Sequence, residues 1–219
     1  IDDVDGYLLE NTPDLVWVHH GIIPAVLLNN HEPQTKFVFN HMSAQLPIEY
    51  PVSFPIEPMI SDLSLFNAEK VKIAHIESGL YSTMQKENLQ LFENPAPDSF
   101  ATLQPKSFST EKKRLAIISN HIPPELLEAL EPLRHSFQIE LVGIQFEYGA
   151  TPQRVSPELL NQFDGIITIG KTVQYSLVSG IPVYCYDHFG GPGWITPENL
   201  SQARFDNFSG RGFDKKTPA

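Results

Sequence analysis

The sequence predicts an α/β protein built from two parallel-sheet units, and three observations predict it. Short apolar runs recur along the chain, too brief for helices and without clean polar alternation, as in strands buried on both faces. In the second half they alternate with segments that open on helix-start signals, so strands and helices succeed one another with right-handed crossovers. A proline-bearing stretch, Asn94-Pro95-Ala96-Pro97-Asp98, parts the two halves.

In the first half, residues 14–18, 36–39 and 62–66 read as strands rich in β-branched or aromatic side chains. Residues 21–30 read as a crossover helix and residues 68–78 as a second helix. Residues 89–92 form a short strand that runs into the prolines, and a polar stretch continues to Lys113. The expected boundary is about residue 106, giving an N-terminal unit, 1–105, and a C-terminal unit, 106–219.

The second half is more regular. Residues 114–119, 139–144, 165–169 and 182–186 read as strands. Pro123-Pro124-Glu125 opens a helix to residue 133, with proline in the first turn where its missing N–H does no harm. Ser156-Pro157-Glu158 opens another, with serine as N-cap and an acid near the positive helix end. Residues 172–179 make a third, and no final helix is legible after residue 207.

Composition narrows the function. The 219 residues carry a formal net charge of −11, which disfavours a nucleic-acid partner. The densest basic runs, Lys112-Lys113-Arg114 and Lys215-Lys216, have no aromatic interleaving. Cys185 is the one cysteine, so no internal disulfide forms, and a reducing compartment is expected. No apolar stretch approaches membrane-spanning length, the N-terminus lacks signal-peptide character, and the expected location is cytoplasmic. Ile1 opens the chain close to a core strand, so a piece of a longer polypeptide is expected.

Ligands of parallel α/β sheets bind beyond the carboxyl ends of the strands, and two such ends attract attention. At Ile169-Gly170-Lys171-Thr172 a strand turns sharply into a helix whose N-terminal N–H groups and partial positive charge suit a phosphate. Lys171 adds a full charge and Thr172 a hydroxyl. At Tyr186-Asp187-His188-Phe189-Gly190-Gly191-Pro192-Gly193, three glycines allow close approach of a ligand to the backbone and can form an anion-binding nest. Tyr186 and Phe189 offer apolar walls. Neither element is a Walker loop or a dinucleotide fingerprint; a tight turn and a Gly-Pro loop are the structural alternatives.

The run from Gly170 to Val183, Gly-Lys-Thr-Val-Gln-Tyr-Ser-Leu-Val-Ser-Gly-Ile-Pro-Val, resembles the Gly-Arg-Thr-Ala-x-Glu-Ala-x-Ala-x-Gly-x-Pro-Val stretch of GT-B glycosyltransferases. Asn94-Pro95-Ala96-Pro97-Asp98-Ser99-Phe100 resembles their Asn-Pro-Val-x-x-x-Phe interdomain linker. The resemblance implies two Rossmann-like units, the N-terminal one incomplete. It also implies a nucleoside diphosphate sugar as donor, with Gly170, Lys171, Thr172, Gln174, Tyr175, Tyr186, Asp187, His188, Phe189, Gly190, Gly191 and Gly193 around it, and no bound cofactor. The sequence departs from the pattern at Tyr175, where the family carries a ribose-binding acid, at Thr168, where the upstream acid of a pair is usual, and at Asn120-His121, in place of basic residues.

Eight histidines are many for this length, and several fall at strand ends. None has metal-ligand spacing, so no metal is expected. A neutral imidazole suits deprotonation of an acceptor hydroxyl, and the resemblance points to His41 first and His20 second. The expected partners are thus a nucleotide sugar and an acceptor of unspecified glycan, lipid or protein nature, with no membrane association indicated. Alternatives are a sugar-nucleotide epimerase, a pyruvyltransferase-like enzyme, or a non-catalytic nucleotide-sugar-binding module. Gly191→Val is expected to abolish nucleotide binding with modest loss of stability.

Overall fold

The structure is a computed structural model that describes residues 11, 13–19, 34–45, 56–102 and 112–217. The expected helix at 21–30, His20 and the expected boundary at residue 106 lie outside the described residues. Two compact units divide between Glu93 and Asn94, and each is α/β.

In unit 1, β1 (Leu15–His19), β2 (Lys36–His41), β3 (Leu63–Phe66) and β4 (Leu89–Leu91) pair in that order, all parallel. Two described helices accompany them, α1 (Ile56–Ile60) and α2 (Glu69–Glu77). Alternation along β2 sends Phe37 and Phe39 to one face, where both are buried with Val18 against Val16 and Ile60. A second cluster gathers Phe66, Ala68, Val71, Tyr81 and Leu89. Asp62 closes the edge by accepting from Phe37 N at 2.9 Å and Lys36 Nζ at 2.8 Å. Its burial pushes the carboxyl pKa up, but these two donors outweigh that and hold it below the ordinary value.

Unit 2 contains β5 (Lys113–Ile118), β6 (Phe137–Val142), β7 (Gly165–Thr168), β8 (Val183–Asp187) and β9 (Gly190–Trp194). Their order is β6-β5-β7-β8-β9, with β9 antiparallel to β8 and the other pairs parallel. The described helices are α3 (Pro124–Leu130), α4 (Pro157–Leu160), α5 (Lys171–Val178) and α6 (Pro197–Phe205). Period-two alternation divides the strand residues between two cores. Ala116, Ile118, Ile166, Val183 and Cys185 pack with Leu160 of α4, Val173 of α5 and Ala203 of α6. Ile117, Ile167 and Tyr186 face the other way, onto Leu126 and Leu130 of α3. Three helices therefore serve one face and a single helix the other.

Ser156 caps α4: its Oγ accepts from Leu159 N at 3.2 Å. Ser156→Ala is expected to cost about 1 kcal/mol, read as a lower urea midpoint with unchanged slope.

Two findings add to the sequence reading. The Pro-rich segment expected to part the halves is packed into unit 2. Phe100 is buried there, its ring stacked on Tyr175 with centroids 4.2 Å apart and its carbonyl accepting from Ser179 Oγ at 3.0 Å. A strand at 190–194 and a helix at 197–205 also exist where none was expected. Thr196-Pro197-Glu198-Asn199 carries the start signal of that helix: proline stands in the first turn, and Asn199 Oδ1 accepts from Thr196 N at 2.9 Å.

Candidate functional site

In unit 2 the chain leaves β5 through α3 to β6, then returns through α4 to β7 on the other side of β5. The direction of winding reverses between β5 and β7, so their carboxyl ends flank the crevice where such sheets bind ligands. Thr168 Oγ1 ties the two ends by donating to Ile118 O at 2.7 Å. The residues presented are Ser119-Asn120-His121 after β5 and Ile169-Gly170-Lys171-Thr172 after β7.

Gly170 turns the chain with φ 62° and ψ −136°. A Cβ there would meet nothing within 4 Å, so the dihedral angles and not space demand glycine. Its N–H donates to Phe208 O at 2.8 Å, and its carbonyl accepts from Val173 N at 3.0 Å, opening α5. No side chain caps this helix, which leaves first-turn N–H groups and the positive end of the dipole beside the exposed Lys171. Lys171 Nζ lies 5.5 Å from the centroid of the Tyr175 ring.

At the same edge, Asn120, Gly143, Ile144, Gln153 and Arg154 border a hollow of about 290 Å³. Gly143 makes it possible, since a Cβ there would sit 2.0 Å from Ser119 O. Arg154 is an exposed guanidinium at this edge that sequence reasoning missed, because it stands in no motif and becomes visible only once β6 is placed beside β5.

The second expected tip is different from its sequence reading. Gly190 to Gly193 are strand residues of β9, entered from β8 by a two-residue turn at His188-Phe189. Their missing side chains serve the protein's own backbone. A Cβ on Gly190 would lie 2.4 Å from Phe213 O, and one on Gly191 would lie 2.1 Å from Cys185 O. Gly193 faces Tyr184 and Lys216. The space expected for an anion nest is filled by β8 and by residues 213–214.

Its neighbours follow suit. Tyr186 is buried, its hydroxyl donating to Lys216 O at 3.3 Å and Glu125 Oε1 at 3.4 Å. Asp187 is buried and pairs through Oδ1 with His188 Nδ1 at 2.7 Å. His188 and Phe189 remain at the surface, with the Arg211 guanidinium 3.7 Å above the Phe189 ring. Tyr175 is spent on the stack with Phe100, and the Gln174 Oε1 atom is buried without a hydrogen-bond partner among the described residues. Burial, then the charge of Asp187, push the Cys185 thiol up to about 12, against a lowering bond from Gly210 N–H, so it is no nucleophile at neutral pH.

His41 is also placed otherwise than expected. It ends β2 with no exposed surface, its Nε2 2.9 Å from Glu57 Oε1 and 3.1 Å from the Tyr81 hydroxyl. Ser64 Oγ donates to the same Glu57 oxygen at 2.7 Å, and the ring stacks on Phe66 at 5.2 Å. Burial, then the charge of Glu57, hold the Tyr81 phenol well above its ordinary pKa. A fully enclosed imidazole cannot touch an acceptor, so His41 is a core residue of unit 1. Among the described residues no group of three or more His, Cys, Asp or Glu is arranged to hold a metal, and no described helix is long and apolar enough to cross a membrane.

No protein-family model matches the chain, and no curated protein matches it in sequence.

Proposed function

We propose that unit 2 binds a nucleoside diphosphate sugar at the carboxyl edge of β5, β6 and β7, and that the chain is a metal-independent glycosyltransferase. The carrying observation is the Gly170 turn, which opens α5 without a side-chain cap at the edge where the winding reverses, with the exposed Lys171 in its first turn. In the transfer the bond between the sugar's anomeric carbon and the phosphate oxygen breaks as the acceptor oxygen bonds to that carbon. The departing diphosphate gains negative charge. N–H groups of the first α5 turn are fixed donors for that charge and reorganise little as it develops, and the exposed Lys171 ammonium adds a cation beside them. Arg154 supplies a further cation at the same edge. The acceptor proton passes to a base.

A second reading, a binding module without turnover, is favoured by one observation. Position 175, where GT-B enzymes carry a ribose-binding acid, holds a tyrosine committed to packing on Phe100.

A thermal-shift screen of the full chain with UDP, GDP, ADP, CDP and TDP tests both, because a ligand that binds only the native state raises its melting temperature. One of them is expected to raise it in a concentration-dependent way. Lys171→Ala is expected to weaken that ligand about ten- to a hundredfold, the loss of one charged hydrogen bond. Release of sugar from the matching donor distinguishes the transferase from the module. No shift with any nucleotide would remove both readings.

A further inference from the structure

The sheet of unit 2 is covered unequally, and the poorly covered face is hollow. Among the described helices α3 packs on it, with the turn at Glu131–His135 against β6, and beyond them a groove of about 760 Å³ opens, within the range of small-molecule sites, about 300–1,000 Å³. Its floor is Leu115, Ile167 and Tyr184, with Phe137 at one end and Trp194 at the other. These residues come from all five strands, β6 through β9, so the groove runs across the sheet for about 19 Å at ordinary strand spacing. Its lining is mainly apolar, interrupted by Lys113, Asn161, Asp164 and Ser179, which suits a hydrocarbon chain with a polar head. It opens at the amino ends of the strands, near Lys113, Asp164 and Pro182, at the opposite edge from Gly170 and Arg154.

Charge is placed at one end only. Lys113 lines the groove beside Phe137, its register partner. Its Nζ is 3.9 Å from Asp164 Oδ1, a loose pair with both side chains about a third exposed. Lys112 donates to Arg134 O, which draws the Arg134 backbone to the same end, where Leu133 forms the wall. Lys113 and Asp164 line the groove, while Lys112 and Arg134 stand beside that end and Arg134 pairs with Glu131. Lys112 and Lys113 belong to the basic run that the donor site does not use.

We propose that this groove binds a free long-chain fatty carboxylate, its chain laid across β5, β7 and β8 and its head at Lys112 and Lys113. The apolar floor supplies most of the affinity, and the cations fix the direction of the chain.

The chain has two tryptophans, Trp17 and Trp194. In full-length protein carrying Trp17→Phe, energy transfer from Trp194 to dansylaminoundecanoate reports occupancy. Saturable transfer is expected, reversed by hexadecanoate and much less by octanoate, with roughly fourfold tighter binding per added methylene. Hexadecanol and hexadecyltrimethylammonium are expected to compete at least tenfold less well than hexadecanoate. Lys113→Glu should weaken hexadecanoate at least tenfold. Ala129→Phe, which fills the groove beside Leu130, should abolish transfer while the melting temperature is kept or raised. The proposal is overturned by absence of saturable transfer, by unchanged affinity in Ala129→Phe, by equal binding of the alcohol, or by binding seen only with anionic vesicles and not with monomeric carboxylate.

Discussion

Gly191→Ala is expected to destabilise unit 2 by about 3–5 kcal/mol, the upper range for a point substitution. The added Cβ would lie 2.1 Å from Cys185 O, 2.7 Å from Tyr186 Cα and 2.9 Å from Cys185 C. All three are backbone atoms of β8, the strand to which β9 is hydrogen-bonded, so no flexible side chain can swing away. Relief requires prising β9 off the sheet, and Cys185 and Tyr186 belong to the two cores on either side of it. Valine adds two methyl groups to the same collision and should prevent folding of the unit. A substitution chosen from sequence to silence nucleotide binding with little loss of stability thus becomes a folding defect. Urea unfolding followed by circular dichroism measures it; a midpoint within error of the parent would show that β9 does not pair as described.

The second large effect lies in unit 1. His41→Leu is expected to cost about 3–5 kcal/mol, because removing one partner of a buried pair leaves the other without compensation. Glu57 has no exposed surface, and its Oε2 lacks a hydrogen-bond partner among the described residues. Losing the imidazole 2.9 Å from Oε1 removes one partner of that carboxyl group, to which Ser64 Oγ still donates at 2.7 Å. The double variant His41→Leu, Glu57→Leu removes the enclosed polar partner as well and should be less destabilised than the sum of the single changes. Strict additivity in a double-mutant cycle would show that the two side chains do not interact. If His41 served only an acceptor, its loss would leave the denaturation midpoint where it was.

The strands of both sheets were legible because parallel strands buried on two faces write themselves as uninterrupted apolar runs, as in Leu115 to Ile118 and Ile166 to Ile167. β9 was illegible for the opposite reason. Gly190-Gly191-Pro192-Gly193 has the composition of a loop, and it forms a strand only because it lies at the edge of the sheet, where a proline costs no ladder bond. Its glycines signal close approach correctly, but what approaches is the chain's own backbone. α6 was passed over although Thr196-Pro197-Glu198 is a sound helix start, since its sequence lacks a clear apolar stripe and buries only Ala203.

At the site, the Gly170 turn could be read from a glycine between an apolar strand and a helix. The fates of His41 and Tyr175 could not. Each is decided by a residue far along the chain, Glu57 for the histidine and Phe100 for the tyrosine. No local pattern tells a strand-end histidine that faces ligand from one that faces an acid. Arg154 was hidden likewise, because its place at the carboxyl edge depends on strand order and not on spacing.

The most direct measurement is an amide-resolved NMR titration of the full chain with the nucleoside diphosphate that gives the largest thermal shift. The N–H signals of Lys171 and Thr172 are expected to move furthest, with those of Asn120 and Gly143 next, while Gly190 and Gly191 stay in place. Shifts concentrated at Gly190 to Gly193, or none at Lys171 and Thr172 under saturation, would contradict the proposed donor site.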